Sequence, residues 1–273
     1  MGVMSATTRT RLAVVAVDAA PAPFDSSVGM FEGIRVVVVV PAYDEERHLH
    51  AVLAGLPAWV DAALVVDDAS RDGTRRVARE VAALDGRVRL LCHPSNRGVG
   101  AAIVTGYREG AALHPGDRVA LVVMAGDGQM SPSDLPALVA PIAADAADYV
   151  KGNRFARPSI AQMPRDRYLG SLVFSRLTAA ATGLPIHDSQ CGYTALSGEA
   201  CAALDLDTLW PGFGYPNDLL GQLAVRGLRV AEVPVEASYA DETSKLRWRH
   251  LPAIAWLVGR ALWRRRGREP RRR

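Results

Sequence analysis

Acidic and amide residues that follow buried hydrophobic runs carry the first indication of chemistry in this 273-residue chain. The apolar run Val119–Met124 leads almost directly into Asp127 and Gln129. Hard divalent cations such as Mg²⁺ and Mn²⁺ prefer oxygen ligands, and they take few from the protein when phosphate and water supply the rest. An aspartate at the end of a central strand therefore predicts a metal site suited to a diphosphate.

Strands and helices alternate through the first half of the chain. Buried strands are predicted at Ile34–Val40, Ala63–Val66, Val88–Cys92 and Val119–Met124. Helices are predicted at Asp44–Leu56, Thr74–Leu84 and Ala101–Leu113. Pro41 is expected to stop the first strand. This order predicts a doubly wound α/β fold, in which ligands bind beyond the carboxyl ends of the strands.

Polar side chains collect at those strand ends. The set comprises Asp44, Asp67, Asp68, Asn96, Arg97, Asp127 and Gln129. Adjacent acids such as Asp67 and Asp68 repel each other unless a partner binds them, which favours a binding role. Asp72 is explained equally well as a turn residue ahead of a helix.

After about Tyr149 the alternation weakens, and this half is expected to finish the sheet and build the acceptor side of the site. Its predicted elements are helices near Arg167–Thr182 and Asp218–Arg226 and strands near Tyr193–Leu196 and Val230–Val233. Asp218 begins a predicted helix, where spacing alone explains a capping role as well as a catalytic one.

The C-terminal segment is amphipathic and strongly basic. Residues 246–273 hold ten arginines and one glutamate, although the net charge of the whole chain is only +3. Arg247–Trp263 has apolar residues at helical spacing, which predicts a helix for an interface or a membrane surface. An anionic membrane or nucleic acid would suit the charge, and a solvated tail explains it equally well. No motif supports nucleic acid as a partner.

Composition and missing signatures exclude several classes. The three cysteines lack metal-ligand spacing and indicate a reducing compartment. The late apolar run Leu251–Gly259 is far shorter than the roughly 20 residues that span a bilayer, so a cytoplasmic or peripheral membrane location is expected. Pro41-Ala42-Tyr43 stands where a dehydrogenase of the Rossmann type needs its glycine motif, and no Gly-Lys-Ser/Thr signature is present. The expected organisation is a flexible leader at 1–32, one domain at 33–245 and the basic segment at 246–273.

Four motifs follow one another at the strand ends. They are Val39-Val40-Pro41-Ala42-Tyr43-Asp44-Glu45, Val66-Asp67-Asp68-Ala69-Ser70-Arg71-Asp72-Gly73-Thr74, Asn96-Arg97-Gly98 and Asp127-Gly128-Gln129. Further matches are Gly152-Asn153-Arg154, Asp188–Tyr193, Asn217-Asp218, Glu232-Val233-Pro234 and Ser244-Lys245. The ordered set resembles the inverting family 2 glycosyltransferases with the GT-A fold. It is most similar to the branch of dolichol-phosphate mannose synthases and bacterial polyprenyl-phosphate sugar transferases.

The resemblance implies roles for matched residues on the donor side. Those expected to line the nucleotide pocket are Pro41, Ala42, Tyr43 and Glu45. Asp67 or Asp68 would accept a hydrogen bond from the base ring, and Arg97 would lie near the nucleotide. Asp127 and Gln129 would hold a Mg²⁺ or Mn²⁺ ion and the diphosphate, which makes Asp127 a candidate catalytic residue. Gly128 between them is expected to contact the nucleotide sugar.

On the acceptor side, the resemblance implies phosphate contacts from Arg154, Arg167 and Lys245. Asp218 matches the carboxylate that serves as general base in relatives with hydroxyl acceptors. The chain departs from the usual Asp-x-Asp metal motif, because Ala125 occupies the first position. The leading hypothesis is an inverting hexosyltransferase that moves a sugar from a UDP- or GDP-linked donor to a polyprenyl phosphate. A small soluble hydroxyl acceptor, or donor binding without turnover, are the alternatives.

Overall fold

The computed structural model describes residues 15–16, 30–236 and 251–267. Its centre is an eight-stranded sheet in the order β1-β4-β3-β2-β5-β7-β6-β8. The strands are β1 (Val15–Ala16), β2 (Arg35–Ala42), β3 (Ala62–Asp67), β4 (Val88–Cys92), β5 (Val119–Val123), β6 (Tyr149–Asn153), β7 (Thr194–Ser197) and β8 (Val230–Pro234). The helices are α1 (Leu49–Ala54), α2 (Thr74–Leu84), α3 (Val99–Leu113), α4 (Leu135–Ala143), α5 (Arg165–Thr182), α6 (Gly198–Ala203), α7 (Tyr215–Arg226) and α8 (Leu251–Arg266).

The β-branched run of β2 forms the middle of the sheet because both of its faces are buried. Val36, Val38 and Val40 join one hydrophobic core, whereas Val37 and Val39 join the other. Strand β2 pairs in parallel with β3 on one side and with β5 on the other. The chain therefore reverses its direction of winding between β2 and β5, which is where such sheets bind ligands.

Small residues bring α3 close to the sheet. A methyl group at Gly106 would lie 2.2 Å from Val39 Cγ1, and one at Gly110 would lie 2.8 Å from Leu121 Cδ2. Both distances are far below van der Waals contact, so a larger residue would push α3 outward. The middle and second half of α3 therefore lie directly against β2 and β5.

Two predictions at the end of β2 are wrong. Pro41 does not stop the strand, which continues to Ala42 and pairs Pro41 with Val66. The pairing of β2 with β5 ends at Val39, before Pro41. Pro41 lacks a backbone N–H, and on that side no hydrogen bond of the sheet requires one. The expected helix at Asp44–Leu56 is shortened to α1, because Asp44 adopts a positive φ of 54° that no helix contains.

The second half completes the sheet as expected, with additions. Strand β7 runs antiparallel between β5 and β6, and β8 pairs in parallel with β6. The predicted α5, α7, β7 and β8 are present with ends moved by one to three residues. Helix α4 and strand β6 had not been predicted. The mostly parallel α/β architecture is confirmed.

The terminal segments are described only in part. Within the expected leader, Val15 and Ala16 pair with Leu91 and Cys92 at the edge of the sheet. Lys245 and the beginning of the expected C-terminal helix lie outside the described residues. None of the helices in the described part of the chain has the length and apolar character needed to cross a bilayer. The domain boundaries stay predictions.

Candidate active site

The loop that carries Asp127 lies against the end of β2. Met124 N donates to Val39 O at 3.0 Å, and Gly126 N donates to Pro41 O at 3.2 Å. A methyl group at Gly126 would lie 3.5 Å from Ala42 Cβ and 3.6 Å from Glu45 Cγ. The structure thus brings the predicted metal loop and the predicted nucleotide residues together at the winding reversal.

Asp127 is held in a tight turn. Gln129 N donates to Asp127 Oδ1 at 3.1 Å, and Gly128 between them has a φ of 73°. Asp127 and Gln129 are half-buried, so both remain accessible from the surface. His48 flanks this turn, since a methyl group at Gly128 would lie 3.7 Å from its Cβ. No spacing pattern singles out His48, because its position beside this turn depends on how the start of α1 packs.

The donor set at this turn fits a cation that arrives with its own oxygen ligands. Within the described ranges, no group of three or more His, Cys, Asp and Glu side chains is arranged to hold a metal ion. At Ala125, where a second carboxylate is usual, the backbone N–H lies 3.3 Å from Met130 Sδ. One carboxylate with diphosphate and water oxygens is a normal Mg²⁺ environment. Asp127 and Gln129 are the residues that would complete it.

Asp68 fastens the loop that opens α3. Its carboxylate accepts from the backbone N–H groups of Arg97 at 2.8 Å and Gly98 at 2.7 Å. It also contacts His93 Nδ1 at 2.7 Å, while His93 Nε2 contacts Thr105 Oγ1 at 2.9 Å. Burial acts to raise the pKa of Asp68, but these hydrogen bonds outweigh it and the pKa is lowered. The anionic form therefore positions the exposed Arg97 beside the strand ends.

Asp67 is fully buried and has a different set of partners. Arg75 Nε lies 2.5 Å from its Oδ2, and Ser70 N donates to its Oδ1 at 3.2 Å. Asp67 thus connects α2 to the end of β3. Asp68 connects the loop before α3 to the same strand end. Which of the two contacts a base stays a prediction. Both carboxylates have protein partners here, and this relieves the repulsion expected between neighbouring acids.

Hydrogen bonds to the beginning of α2 and the loop before it also hold the segment after β2 in place. Glu45 N donates to Thr74 Oγ1 at 2.8 Å, and Asp44 Oδ1 accepts from Arg71 N at 2.7 Å. Glu45 is buried and Tyr43 is half-buried. These bonds fix Pro41–Glu45 against the loop that begins α2, so the predicted nucleotide residues form one ordered edge.

A buried ion pair holds the part of the site that comes from the second half of the chain. Arg154 binds Asp188 through two nearly parallel hydrogen bonds, Nε to Oδ2 at 2.7 Å and Nη2 to Oδ1 at 2.9 Å. Lys151 is fully buried nearby, with Nζ 2.5 Å from Cys191 O, and burial lowers its pKa. The predicted phosphate role of Arg154 stays a prediction, and its observed contact is with Asp188. The half-buried Arg167 lies on α5.

The loop 187–193 meets the metal loop directly. Glu232 accepts from the backbone N–H groups of His187 and Asp188, each at 2.9 Å. Tyr193 Oη donates to Ser131 O at 2.8 Å, and a methyl group at Gly192 would lie 3.3 Å from Met130 Cε. The two walls of the site, from different halves of the chain, therefore touch beside Asp127.

Asp218 is buried in a cationic surrounding. Arg264 Nη1 lies 2.8 Å from its Oδ1, Arg260 contacts its Oδ2, and Trp210 N donates to Oδ2 at 2.9 Å. Its side chain is only 1% exposed. Its carboxylate therefore holds α8 and the loop at Trp210 in place. The arginines come from 42 and 46 residues along the chain, so spacing could not reveal them.

A mostly parallel α/β sheet, with acids and amides gathered where its winding reverses, defines a nucleotide-sugar-dependent glycosyltransferase of the GT-A fold. Residues 37–204 match the family described as Glycosyl transferase family 2, and the chain belongs to that family.

Several relatives share most of their length with this chain. The undecaprenyl-phosphate mannosyltransferase of Micrococcus luteus is 35% identical over 206 residues, which cover 74% of this chain and 83% of the relative. The polyprenol monophosphomannose synthase of Mycolicibacterium smegmatis is 32% identical, covering 74% and 76%. The UDP-N-acetylglucosamine–dolichyl-phosphate N-acetylglucosaminyltransferase of Methanococcus voltae is 28% identical, covering 76% and 86%.

Solved structures agree on the fold. Glucosyl-3-phosphoglycerate synthase from Mycobacterium tuberculosis, crystallised with Mn²⁺, UDP and phosphoglyceric acid, has a TM-score of 0.60 at 22% identity. The match covers 88% of this chain and 81% of that one. The same enzyme with Mg²⁺ and UDP has a TM-score of 0.56. At this identity the likeness shows a common GT-A architecture.

Proposed function

We propose that this glycosyltransferase moves a sugar from a UDP- or GDP-linked donor to a polyprenyl phosphate, with inversion at the anomeric carbon. The named relatives are an undecaprenyl-phosphate mannosyltransferase, a dolichyl-phosphate N-acetylglucosaminyltransferase and a polyprenol monophosphomannose synthase. The observation that supports this acceptor is the set of contacts made by Asp218, the one residue matched to a general base.

A general base must reach the acceptor hydroxyl within hydrogen-bond distance and accept its proton. The Asp218 carboxylate is buried, and its two oxygens already contact Arg264, Arg260 and Trp210 N. These contacts occupy the oxygens that would have to reach an acceptor hydroxyl. A phosphate acceptor is already anionic near neutral pH, so it needs no base. The arrangement around Asp218 therefore supports an acceptor that carries its own negative charge.

The donor side of the proposal uses the ordered edge at β2 and the turn at Asp127. A Mg²⁺ or Mn²⁺ ion bound there supplies charge neutralisation for the departing diphosphate. Asp127 and Gln129 would hold the ion, and Asp68 positions the Arg97 loop beside the nucleotide. An acceptor phosphate oxygen forms the bond to the anomeric carbon as the bond to the diphosphate oxygen breaks. The electron pair of that bond leaves with the nucleoside diphosphate.

A polyprenyl phosphate lies in a membrane, so the proposal includes peripheral contact with an anionic bilayer. The arginines of the C-terminal segment suit such a surface at about 1 kcal/mol each. A peripheral position on the cytoplasmic face, where nucleotide sugars are made, is part of the same proposal.

The test is a transfer assay with purified protein, labelled UDP- and GDP-sugars, and Mg²⁺ or Mn²⁺. Polyprenyl phosphate is compared with the matching polyprenol and with soluble hydroxyl acceptors. The expected product is a sugar-phosphate lipid from one donor, formed only with the phosphorylated lipid. Transfer to the polyprenol or to a soluble hydroxyl would overturn the acceptor. Donor binding without turnover on any acceptor would indicate a nucleotide-sugar-binding protein instead.

A further inference from the structure

Helix α5 exposes apolar side chains and buries polar ones, which is the reverse of a typical surface helix in a soluble protein. Its outward stripe holds Leu169, Val173 and Leu177, whose side chains are 59%, 54% and 48% exposed. Its inward stripe contains the small polar residues Ser171, Ser175, Thr178 and Thr182 together with Ala181, all buried. The apolar side of this helix therefore faces outward.

Hydrogen bonds lock this orientation. Ser175 Oγ accepts from Ser189 N at 2.8 Å, and Thr178 Oγ1 donates to Asn217 Oδ1 at 2.7 Å. Rotating α5 to bury its leucines would break both bonds and expose or orphan their partners. The buried polar side chains of α5 thus have hydrogen-bond partners, and these bonds keep its apolar stripe at the surface.

Helix α8 lies beside α5 and also exposes large apolar side chains. It packs against α5, and Arg265 of α8 lies 3.4 Å from Ala180 O near the end of α5. Its inward residues Ile254 and Leu257 pack over Gly214. Trp256 and Trp263, seven residues apart on one side of the helix, are 55% and 75% exposed. Five large apolar side chains on two adjoining helices are more than isolated surface hydrophobics.

The charge of these helices identifies the partner. Together α5 and α8 contain seven arginines and one aspartate, and two of the arginines, Arg260 and Arg264, are paired with Asp218 of α7. The other five arginines still outnumber the one aspartate. A second copy of the chain, docked through this surface, would bring two such arginine sets together. An anionic phospholipid surface complements them and also takes apolar and tryptophan side chains at its interface.

We propose that Leu169, Val173, Leu177, Trp256 and Trp263 form a docking face that inserts into an anionic bilayer. The inward side of α5 contacts Ser189 and Asn217, so the docking face lies one helix away from the loop 187–193 that lines the site. The inference extends the proposed lipid acceptor, although the docking itself requires neither donor nor acceptor.

The experiment is sedimentation of the full-length protein with vesicles of phosphatidylglycerol and phosphatidylcholine in equal parts, without nucleotide sugar or polyprenyl phosphate. The wild type should bind these and bind pure phosphatidylcholine at least tenfold less. A double variant, Leu169→Glu with Leu177→Glu, should lose at least tenfold in partitioning. The matched control is Leu84→Glu, because Leu84 on α2 is 90% exposed and lies outside the docking face. Equal binding by the double variant and the control would overturn the proposal.

A second measurement needs no charged substitution. Brominated lipids should quench the tryptophan fluorescence of the wild type, and the pair Trp256→Phe with Trp263→Phe should remove at least half of that quenching. Absence of quenching would refute insertion. A wild-type dimer in light scattering that Leu177→Glu converts to monomer would show that a second copy covers the face. If the protein transfers sugar in detergent but does not bind vesicles, only the docking proposal is overturned. If it binds vesicles but does not transfer sugar to polyprenyl phosphate, only the proposed acceptor is overturned.

Discussion

Arg264 reaches from the last described helix to Asp218 at the start of α7, with Nη1 2.8 Å from Oδ1. Arg260 approaches the other carboxylate oxygen from the preceding turn and lies over the Trp256 ring at 4.9 Å. One buried acid therefore anchors the helix that also carries part of the docking face. This relationship separates an architectural role of Asp218 from a proton-accepting one, and the two roles predict different results.

Substitution Asp218→Asn should lower stability much more than it changes the chemistry. Removing one partner of a buried ion pair costs about 3 kcal/mol because the remaining charges lose their compensation. The midpoint of thermal unfolding should fall by roughly 6–12 °C for a protein of this size. The pH profile of transfer to polyprenyl phosphate should keep its shape. Asp207→Asn is the control, since Asp207 pairs with Arg108 at the surface and is 84% exposed. Disappearance of an ascending acid limb in Asp218→Asn would instead indicate a general base.

Asp127→Ala should abolish most of the transfer. Loss of the carboxylate that would hold the cation removes stabilisation of the leaving diphosphate, a change on the order of 10²–10³ in kcat. Calorimetry of UDP binding with and without Mn²⁺ should show that the metal no longer strengthens binding. A variant with full metal-dependent transfer would contradict the assignment of the site.

Ala125→Asp should strengthen metal binding. It restores a second carboxylate next to a turn that already holds Asp127, and hard cations gain affinity with ligand charge. The Mn²⁺ concentration for half-maximal donor binding should fall several-fold. The control is Ala125→Asn, which has similar size without the charge. Equal effects of both variants would mean that volume, and not charge, limits the site.

Asp68→Asn should destabilise the protein in a pH-dependent way. The folded pKa of Asp68 is lowered, so its stabilising contribution is full above the unfolded value near 4 and is lost as pH falls through the folded pKa. We expect a loss of about 2 kcal/mol at pH 7 in urea unfolding and a smaller difference at pH 3. Glu80→Gln, on an exposed pair with Arg76, should show no comparable loss. A difference that grows toward acid pH would contradict the role of the anion.

Gly98→Ala should weaken donor binding and stability together. Gly98 has a φ of 94°, and an added methyl would lie 2.5 Å from Pro211 O. Gly116→Ala is a close control, because Gly116 has a φ of 90° with nothing within 4 Å of the added methyl. Both variants carry backbone strain of about 1–3 kcal/mol, so the excess loss in Gly98→Ala measures the clash. Equal losses in the two variants would show that the contact with Pro211 is unimportant.

Sequence patterns predicted the fold well where the local signal and the tertiary environment agree. The valine run of β2 reads as a doubly buried strand, and it is one. The Asp127 loop contacts Pro41 and Ala42 through Gly126, because the ends of parallel strands share one edge, while the predicted role of Asp127 stays a prediction. By contrast, the pairs Arg154–Asp188 and Arg264–Asp218 join residues 34 and 46 positions apart. Such contacts depend on packing, which periodicity does not encode.

Helix α5 shows the second limit of periodicity. Its residues have helical spacing, but spacing does not tell which stripe faces inward. The inversion follows from Ser189 and Asn217, which offer hydrogen bonds that only the polar stripe can make. The predicted roles of Arg167 and Lys245 likewise depend on a bound substrate, and they stay predictions.

The hydrogen bond from Tyr193 Oη to Ser131 O ties the loop before β7 to the segment that follows the turn at Asp127. Tyr193 leads into β7, which is clamped between β5 and β6, while Ser131 follows the turn at Asp127. Separating these two segments requires breaking this bond or sliding β7, which is paired on both sides. The turn at Asp127 is therefore tied to a strand that cannot shift without losing ladder hydrogen bonds on both of its edges.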